Sequence, residues 1–405
     1  MKRIDSKPLE VGVCQVVLDI QLLRPPCYLL AARLQLNPRS YHRQPLGKYW
    51  RVSQLRSIWG VGLAATKAMN FKECRETVIE VTLTNATTFQ SQDGVSILES
   101  ARQQGKALAH SCRTGRCGVC KAKVVSGESE VLQAEESLSA EDEASGFILT
   151  CCRAAKTNLQ LDIEDLGELG SIQIKTLPCR IDSLQVLSND VVEVVLRTPP
   201  ASQLEYLPGQ YVEMIGKDGL RRSYSVANAP REDGEISLQI RRVEQGLMSY
   251  YWFEEAKAND LLRLEGPMGT FCLRDSHASS LILLATGTGI APIKAILEQL
   301  AATPEANTYN HIYLYWGGRV ERDIYWQPDF DSLPLTFTPV LSRTPDWQGR
   351  KGYIQQAVMD DGHNLSNAVV YACGSAAMIH SAHEQLTSAG LNSKHFYSDA
   401  FVSSS

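Results

Sequence analysis

Three cysteines fall within ten residues, in SCRTGRCGVC from Ser111 to Cys120: Cys112, Cys117 and Cys120. C-x4-C-x2-C is the spacing with which plant-type ferredoxins hold a [2Fe–2S] cluster, and it requires a fourth thiolate further along the chain. The stretch ILTCC offers two candidates, Cys151 and Cys152. Two sulfide-bridged irons need two thiolates each, and a short loop wrapped around them can supply three from one side. Gly115 and Gly118 let that loop bend tightly and bring backbone N–H groups near the sulfurs. Arg113 and Arg116 either soften the charge of the cluster or are ordinary solvated surface. Structural zinc uses two separated pairs rather than a triplet, and a redox C-x-x-C leaves Cys112 without a purpose.

Two further groups of residues have the makings of a cofactor site. Arg222-Ser223-Tyr224-Ser225 reads as a strand that offers a cation for a pyrophosphate, a flat aromatic, and a hydroxyl for a flavin N5. Alone, the same four residues fit any half-buried strand. Gly246 and Ser249 in EQGLMS, and Gly266, Gly269 and Thr270 in GPMGTF, stand where glycines would admit phosphates and hydroxyls would donate to them; Met248 reads as core. The apolar LILL before Ala285 leads into Thr286-Gly287-Thr288-Gly289-Ile290-Ala291-Pro292. A strand running into a glycine-rich helix start is where a dinucleotide pyrophosphate sits, although Pro292 stands where the usual third glycine would be. Cys373-Gly374-Ser375 ends a later strand, so Cys373 is either a nicotinamide contact or a buried small residue. The histidines show no metal-ligand spacing.

These groups need elements to hold them. VIEVTLT and TTFQSQ read as a hairpin, VSILESARQQG as a helix closed by Gly105, and KAKVVSG and NLQLDI as strands, with helical character across Glu135–Glu143. That order predicts an α+β β-grasp ferredoxin domain over 78–163. After a linker, 176–274 reads as an antiparallel β-barrel, and 279–402 as an α/β domain with a parallel sheet. The chain is therefore expected to be multidomain, as its 405 residues allow.

Residues 1–68 differ from the rest. They carry a charge of +8 and lack a clean period, whereas the remainder carries −13. They read as a disordered basic arm, an amphipathic membrane-surface piece, or upstream sequence ahead of a true start at Met69, the last being favoured. An acidic body argues against nucleic-acid binding and suits docking onto a basic protein surface. No run of eighteen apolar residues exists to span a membrane. Scattered single cysteines favour a reducing cytoplasm.

The segments ILTCCRAAK, LPCRIDSLQVL, YLPGQYVEM, RRSYSVANAP, EGPMGTF, VYACGSAAMI and FYSDAFV resemble the CDP-6-deoxy-Δ3,4-glucoseen reductase family of the ferredoxin–NADP reductase superfamily, from about Val78 to Val402. The resemblance implies FAD on the barrel and NADH on the last domain. It makes Cys151 the fourth ligand and places Phe401 near the flavin face that nicotinamide must reach, with Ser398 and Asp399 fixing that tail. It also implies electron flow from NADH through FAD and the [2Fe–2S] cluster to an iron–sulfur protein acceptor. That acceptor is expected to be the pyridoxamine-phosphate-dependent dehydrase of CDP-3,6-dideoxyhexose synthesis. The alternative is a component of a ring-hydroxylating or other oxygenase. Ser225 and Cys373 are the expected residues beside the hydride path.

Overall fold

The computed structural model describes residues 10–11, 14–15, 79–216 and 219–401. The chain divides into two units, Met1–Arg75 and Glu76–Ser405. In the first, β1 (Glu10–Val11) pairs antiparallel with β2 (Cys14–Gln15). The other expectations for residues 1–68 lie outside the described residues.

The second unit opens with β3 (Ile79–Thr82) and β4 (Thr88–Ser91), the predicted hairpin. Next comes α1 (Ile97–Gln103), whose N-cap Ser96 accepts the Glu99 N–H. Then follow β5 (Lys121–Ser126), β6 (Ser129–Val131), α2 (Ala140–Ala144), β7 (Phe147–Leu149), β8 (Arg153–Ala155) and β9 (Leu159–Leu161). The sheet order is β4-β3-β9-β5-β7, with β6-β8 as a separate pair. Val81, Leu83, Ile97, Leu108, Leu149 and Leu161 are buried beneath α1 and the cysteine loop. Each contributes about 1.5–3 kcal/mol by leaving water.

The helix expected across Glu135–Glu143 is shorter, starting at Ala140 after its N-cap Ser139, whose capping box closes on Asp142. Glu135 lies outside it for a physical reason. Its carboxylate, 5% exposed, accepts the Leu149 N–H (2.7 Å) and pairs with Arg153 (2.7 Å), which anchors the loop carrying Cys151 and Cys152.

The barrel is built from β10 (Lys175–Ser188), β11 (Val191–Arg197), β12 (Tyr211–Ile215), β13 (Arg221–Ser225), β14 (Glu235–Arg241) and, after α3 (Leu247–Tyr250), β15 (Leu261–Met268). The order β13-β12-β15-β10-β11-β14 is antiparallel throughout, and a Val226–Leu238 bridge joins its two ends. Met248 packs in this core, as expected.

The last domain runs β16 (Ser280–Thr286), α4 (Ile290–Ala302), β17 (His311–Gly318), β18 (Leu335–Leu341), β19 (Arg350–Lys351), α5 (Ile354–Asp361), β20 (Ala368–Ser375), α6 (Ala376–Ser388) and β21 (Phe396–Phe401). Its sheet is parallel, ordered β19-β18-β17-β16-β20-β21. Leu281, Ile282, Leu283 and Leu284 are fully buried, the continuous apolar run of a strand covered on both faces. Strand order reverses beside β16, which opens a crevice at the carboxyl ends of β16, β17 and β20. The tail FYSDAF is itself the sixth strand, and it sets Phe401 beside Ser375.

Candidate functional site

The cysteine loop gathers its thiols in two pairs. Cys112 and Cys117 contact each other, and Cys120 Sγ lies 3.3 Å from Cys151 Sγ. Backbone N–H groups point at the sulfurs: Thr114 and Arg116 at Cys112, Val119 at Cys117, and Gly115 at Cys151. Among the described residues, no three His, Cys, Asp or Glu side chains converge as a mononuclear metal would require. Two thiol pairs ringed by N–H donors form the donor set of a two-iron cluster instead, so the residues present fit that group. Cys152, fully buried, stands beside the second pair: its Sγ lies 3.5 Å from Cys151 Sγ and 3.5 Å from the Ala134 carbonyl. Gly115 is required where it stands. Its φ is +79°, and a Cβ there would run into the Ala134 carbonyl.

One wall of this loop borders a cavity of about 440 Å³ between the barrel and the last strand. Cys112, Thr114 and Arg116 line it on the loop side, Ser223 and Ser225 on β13, and Asp399 and Phe401 on β21. The loop is fastened there by buried hydrogen bonds. Tyr211 OH donates to the Ser111 carbonyl at 2.8 Å, and the Ser111 hydroxyl donates to Asp399 at 2.5 Å. Thr270 Oγ1 accepts from the His110 N–H (2.9 Å) and donates to the His110 carbonyl (3.0 Å). Burial raises Asp399 to about 6, against the lowering effect of its Ser111 hydrogen bond. Arg222 lines the same cavity, and no carboxylate lies within ion-pair reach of it among the described residues. Its guanidinium donates to the Arg221 carbonyl (2.7 Å) but is charge-unpaired, so the residues present fit the pyrophosphate of an FAD.

A larger cleft, about 1000 Å³, opens at the carboxyl ends of β16, β17, β18 and β20. Thr286, Gly287 and Thr288 form its floor, with the Gly287 carbonyl held by the Trp316 indole N–H at 3.0 Å. Asp190 of the barrel reaches into it and binds Arg241 (2.8 Å) and Arg319 (3.6 Å). Both cavities are lined by Phe401, whose ring is 40% exposed and stands on their shared boundary.

Not every residue expected at these sites lies in a cavity. Tyr224 does not share the Ser225 face, because successive strand residues point to opposite sides. Its hydroxyl takes the Trp252 indole N–H (3.0 Å), and the two rings meet edge-on. The Cys373 thiol is fully buried in the sheet core, and desolvation holds it well above the usual thiol range. Gly289, Pro292 and Gly374 form the packed seam behind the cleft: a Cβ on Gly289 would overlap the Cys373 carbonyl, and one on Gly374 would overlap Thr286 Oγ1. Gly246 and Ser249 brace the turn before α3, Ser249 Oγ accepting the Val243 N–H (2.8 Å). Gly266 packs against Val212; Gly269, against the Tyr211 ring, and Thr270 line a third cavity of about 320 Å³ with Lys106, His110 and Gln210. Thr270 spends its hydroxyl on His110, as above. Sequence reading missed Tyr211 and Asp190, whose partners lie far away along the chain, and Glu135, whose partners Leu149 and Arg153 come 14 and 18 residues later; none leaves a local pattern.

Family models match the three regions in order: a 2Fe-2S iron-sulfur cluster binding domain over 81–156, an oxidoreductase FAD-binding domain over 178–272, and an oxidoreductase NAD-binding domain over 283–384. A cluster loop and a nucleotide cleft that each share a wall with the flavin-type cavity between them define an iron–sulfur flavoprotein reductase, an NAD(P)H-dependent oxidoreductase. Among solved structures, an Amycolatopsis cytochrome P450 reductase is similar at TM-score 0.62 and 26% identity, covering 80% of this chain and 98% of its own. The CDP-6-deoxy-L-threo-D-glycero-4-hexulose-3-dehydrase reductase of Yersinia pestis is 41% identical over 323 residues, 78% of this chain and 95% of the relative. A Pseudomonas putida xylene/toluene monooxygenase electron transfer component is 30% identical over 77% of this chain and 90% of its own. The chain belongs to the CDP-6-deoxy-hexulose-3-dehydrase reductase family.

Proposed function

We propose that this reductase oxidises NADH and serves the pyridoxamine-phosphate-dependent, iron–sulfur dehydrase of CDP-3,6-dideoxyhexose synthesis. The carrying observation is the 41% identity, over 95% of their length, to relatives named as reductases of that dehydrase. When bound, FAD would supply acceptance of a hydride from NADH and release of its two electrons one at a time with the proton lost to solvent, and a [2Fe–2S] cluster would supply one-electron transfer. The protein does the positioning. Gly287 and Thr288 hold the dinucleotide, Arg222 meets the FAD pyrophosphate, and Ser225 offers a hydroxyl to the ring. Cys112, Cys117, Cys120 and Cys151 hold the cluster, with Cys112 on the flavin side. No described helix is long and apolar enough to cross a membrane. The buried free thiols Cys179, Cys272 and Cys373 suit a cytoplasmic setting. Reconstitution tests the acceptor: the dehydrase should turn over with this chain and NADH. Turnover confined to an oxygenase component would transfer the role to the second reading, which the monooxygenase relative favours.

Arg319 is engaged by Asp190 and Asp323, so its charge is spent, although Arg343 remains without a carboxylate in reach among the described residues. NADH is expected to be preferred by about tenfold or more in kcat/KM, ~1.4 kcal/mol. A clear NADPH advantage would refute this and assign Arg343 to the 2′-phosphate.

Phe401→Ala removes the ring on the boundary of the two cavities. Nicotinamide then no longer has to displace it, so KM for NADH should fall several-fold while flavin content is unchanged. A raised KM would show that the ring holds the nucleotide instead.

A further inference from the structure

The loop face toward the flavin cavity is fastened to the barrel and the last strand. His110 and Ser111 are tied down by Thr270, Tyr211 and Asp399, and Cys117 packs against the core of the last domain. An acceptor must reach the cluster from elsewhere, and the opposite side has a distinct surface. Every exposed large apolar side chain described in the ferredoxin-type domain lies on the β5–β6 hairpin or just after it: Val125 (57% exposed), Val131 (57%) and Leu132 (42%).

This hairpin continues into the wall of the cluster cage. Leu132 N–H donates to the Cys152 carbonyl (2.8 Å), Gln133 Nε2 to the carbonyls of Arg113 (3.1 Å) and Cys151 (3.0 Å), and Ser137 N–H to the Gly115 carbonyl (3.0 Å). Both signs occur around the hairpin, with Lys121 and Lys123 on β5 and Arg153 opposite Val131, but the segment between them is acidic. From residue 124 to 152 there are seven acids and no Lys or Arg. Neighbouring bases pair with four of these, and Glu128, Glu141 and Glu143 have no basic partner among the described residues.

We infer that Val131 and Leu132, with the unpaired Glu128 of the same hairpin, form the docking surface for the electron acceptor, and that its complementary face is apolar with a Lys/Arg rim. An apolar centre within a charged rim is the usual make-up of a transient protein interface. The inference rests on the reductase reading but is tested separately from it.

The probe is a basic cytochrome c, whose haem edge lies within a lysine rim. Val131→Ser/Leu132→Ser and Glu128→Lys should each raise KM for cytochrome c about five- to tenfold, roughly 1–1.4 kcal/mol. Glu128→Lys should also flatten the dependence of that KM on salt. NADH-driven ferricyanide reduction and the visible absorbance of flavin and cluster should not change. An unchanged KM in both variants would overturn the inference, as it would if the acceptor used the flavin-facing side. A parallel loss of ferricyanide reduction would overturn it too, by placing these residues on the internal path. A wild-type dimer made monomeric by Val131→Ser/Leu132→Ser in sedimentation would assign the patch to a second copy. Wild-type protein that fails to reduce ferricyanide would sink the reductase reading itself, whatever the variants do.

Discussion

Cys117→Ser should separate the two halves of the electron path. Serine replaces one thiolate of the Cys112/Cys117 pair with a poorer ligand for iron, so the cluster is lost or its potential displaced. Cys117 is partly buried against the last domain's core, and serine is close to it in size, so that contact is largely kept. Tyr211, Thr270 and Asp399 hold the loop through His110 and Ser111, not through Cys117. The variant should therefore keep its flavin, its reduction by NADH without oxygen, and its ferricyanide turnover. Reduction of cytochrome c should fall about 100-fold, ~2.7 kcal/mol on the barrier. Transfer to cytochrome c at the wild-type rate would show that the loop from Cys112 to Cys120 is not on the path.

The parts legible in the sequence were those whose physical cause is local. A thiol donor set needs cysteines a fixed few residues apart, so three of the four thiols that the structure gathers in two pairs were legible by spacing. A two-sided parallel strand needs an unbroken apolar run, and LILL supplied it. Tyr224 and Ser225 show where locality misleads. Their adjacency invited a shared site, yet the strand period of two sends one hydroxyl to Trp252 and the other to the cavity. The tail FYSDAF is six residues long with its two polar residues adjacent, so it lacks the alternation that declares a strand. It becomes one because β20 offers a free edge beside it. Thr270 and Asp399 act through His110 and Ser111, more than 150 residues away in sequence. No spacing rule reaches that far.

Gly289 and Gly287 illustrate the same limit, and they carry the second large prediction. Both belong to the glycine-rich start of α4, where sequence assigns them to a pyrophosphate. Space at the two positions differs. A Cβ on Gly289 would lie against the Cys373 carbonyl and Gly374 N, which are backbone atoms of a fully buried strand. Neither can swing away, so α4 must lift from β20. That helix buries eight side chains, Ile290 and Leu297 among them, and the shift loosens them together. Gly289→Ala should cost about 1–3 kcal/mol of stability, the usual range for overpacking a tight core. Because the helix start forms the floor of the nucleotide cleft, KM for NADH should also rise about tenfold, ~1.4 kcal/mol. At Gly287 a Cβ meets only the flexible Arg241 guanidinium, 2.9 Å away, and the left-handed φ of +55° adds about 1 kcal/mol of backbone strain. Gly287→Ala should therefore lower the melting temperature less than Gly289→Ala. Melting curves and NADH kinetics on both variants decide between packing and phosphate contact. If Gly287→Ala impairs NADH binding while Gly289→Ala melts and binds like wild type, Gly289 is not a packing glycine and the seam between α4 and β20 does not set the cleft.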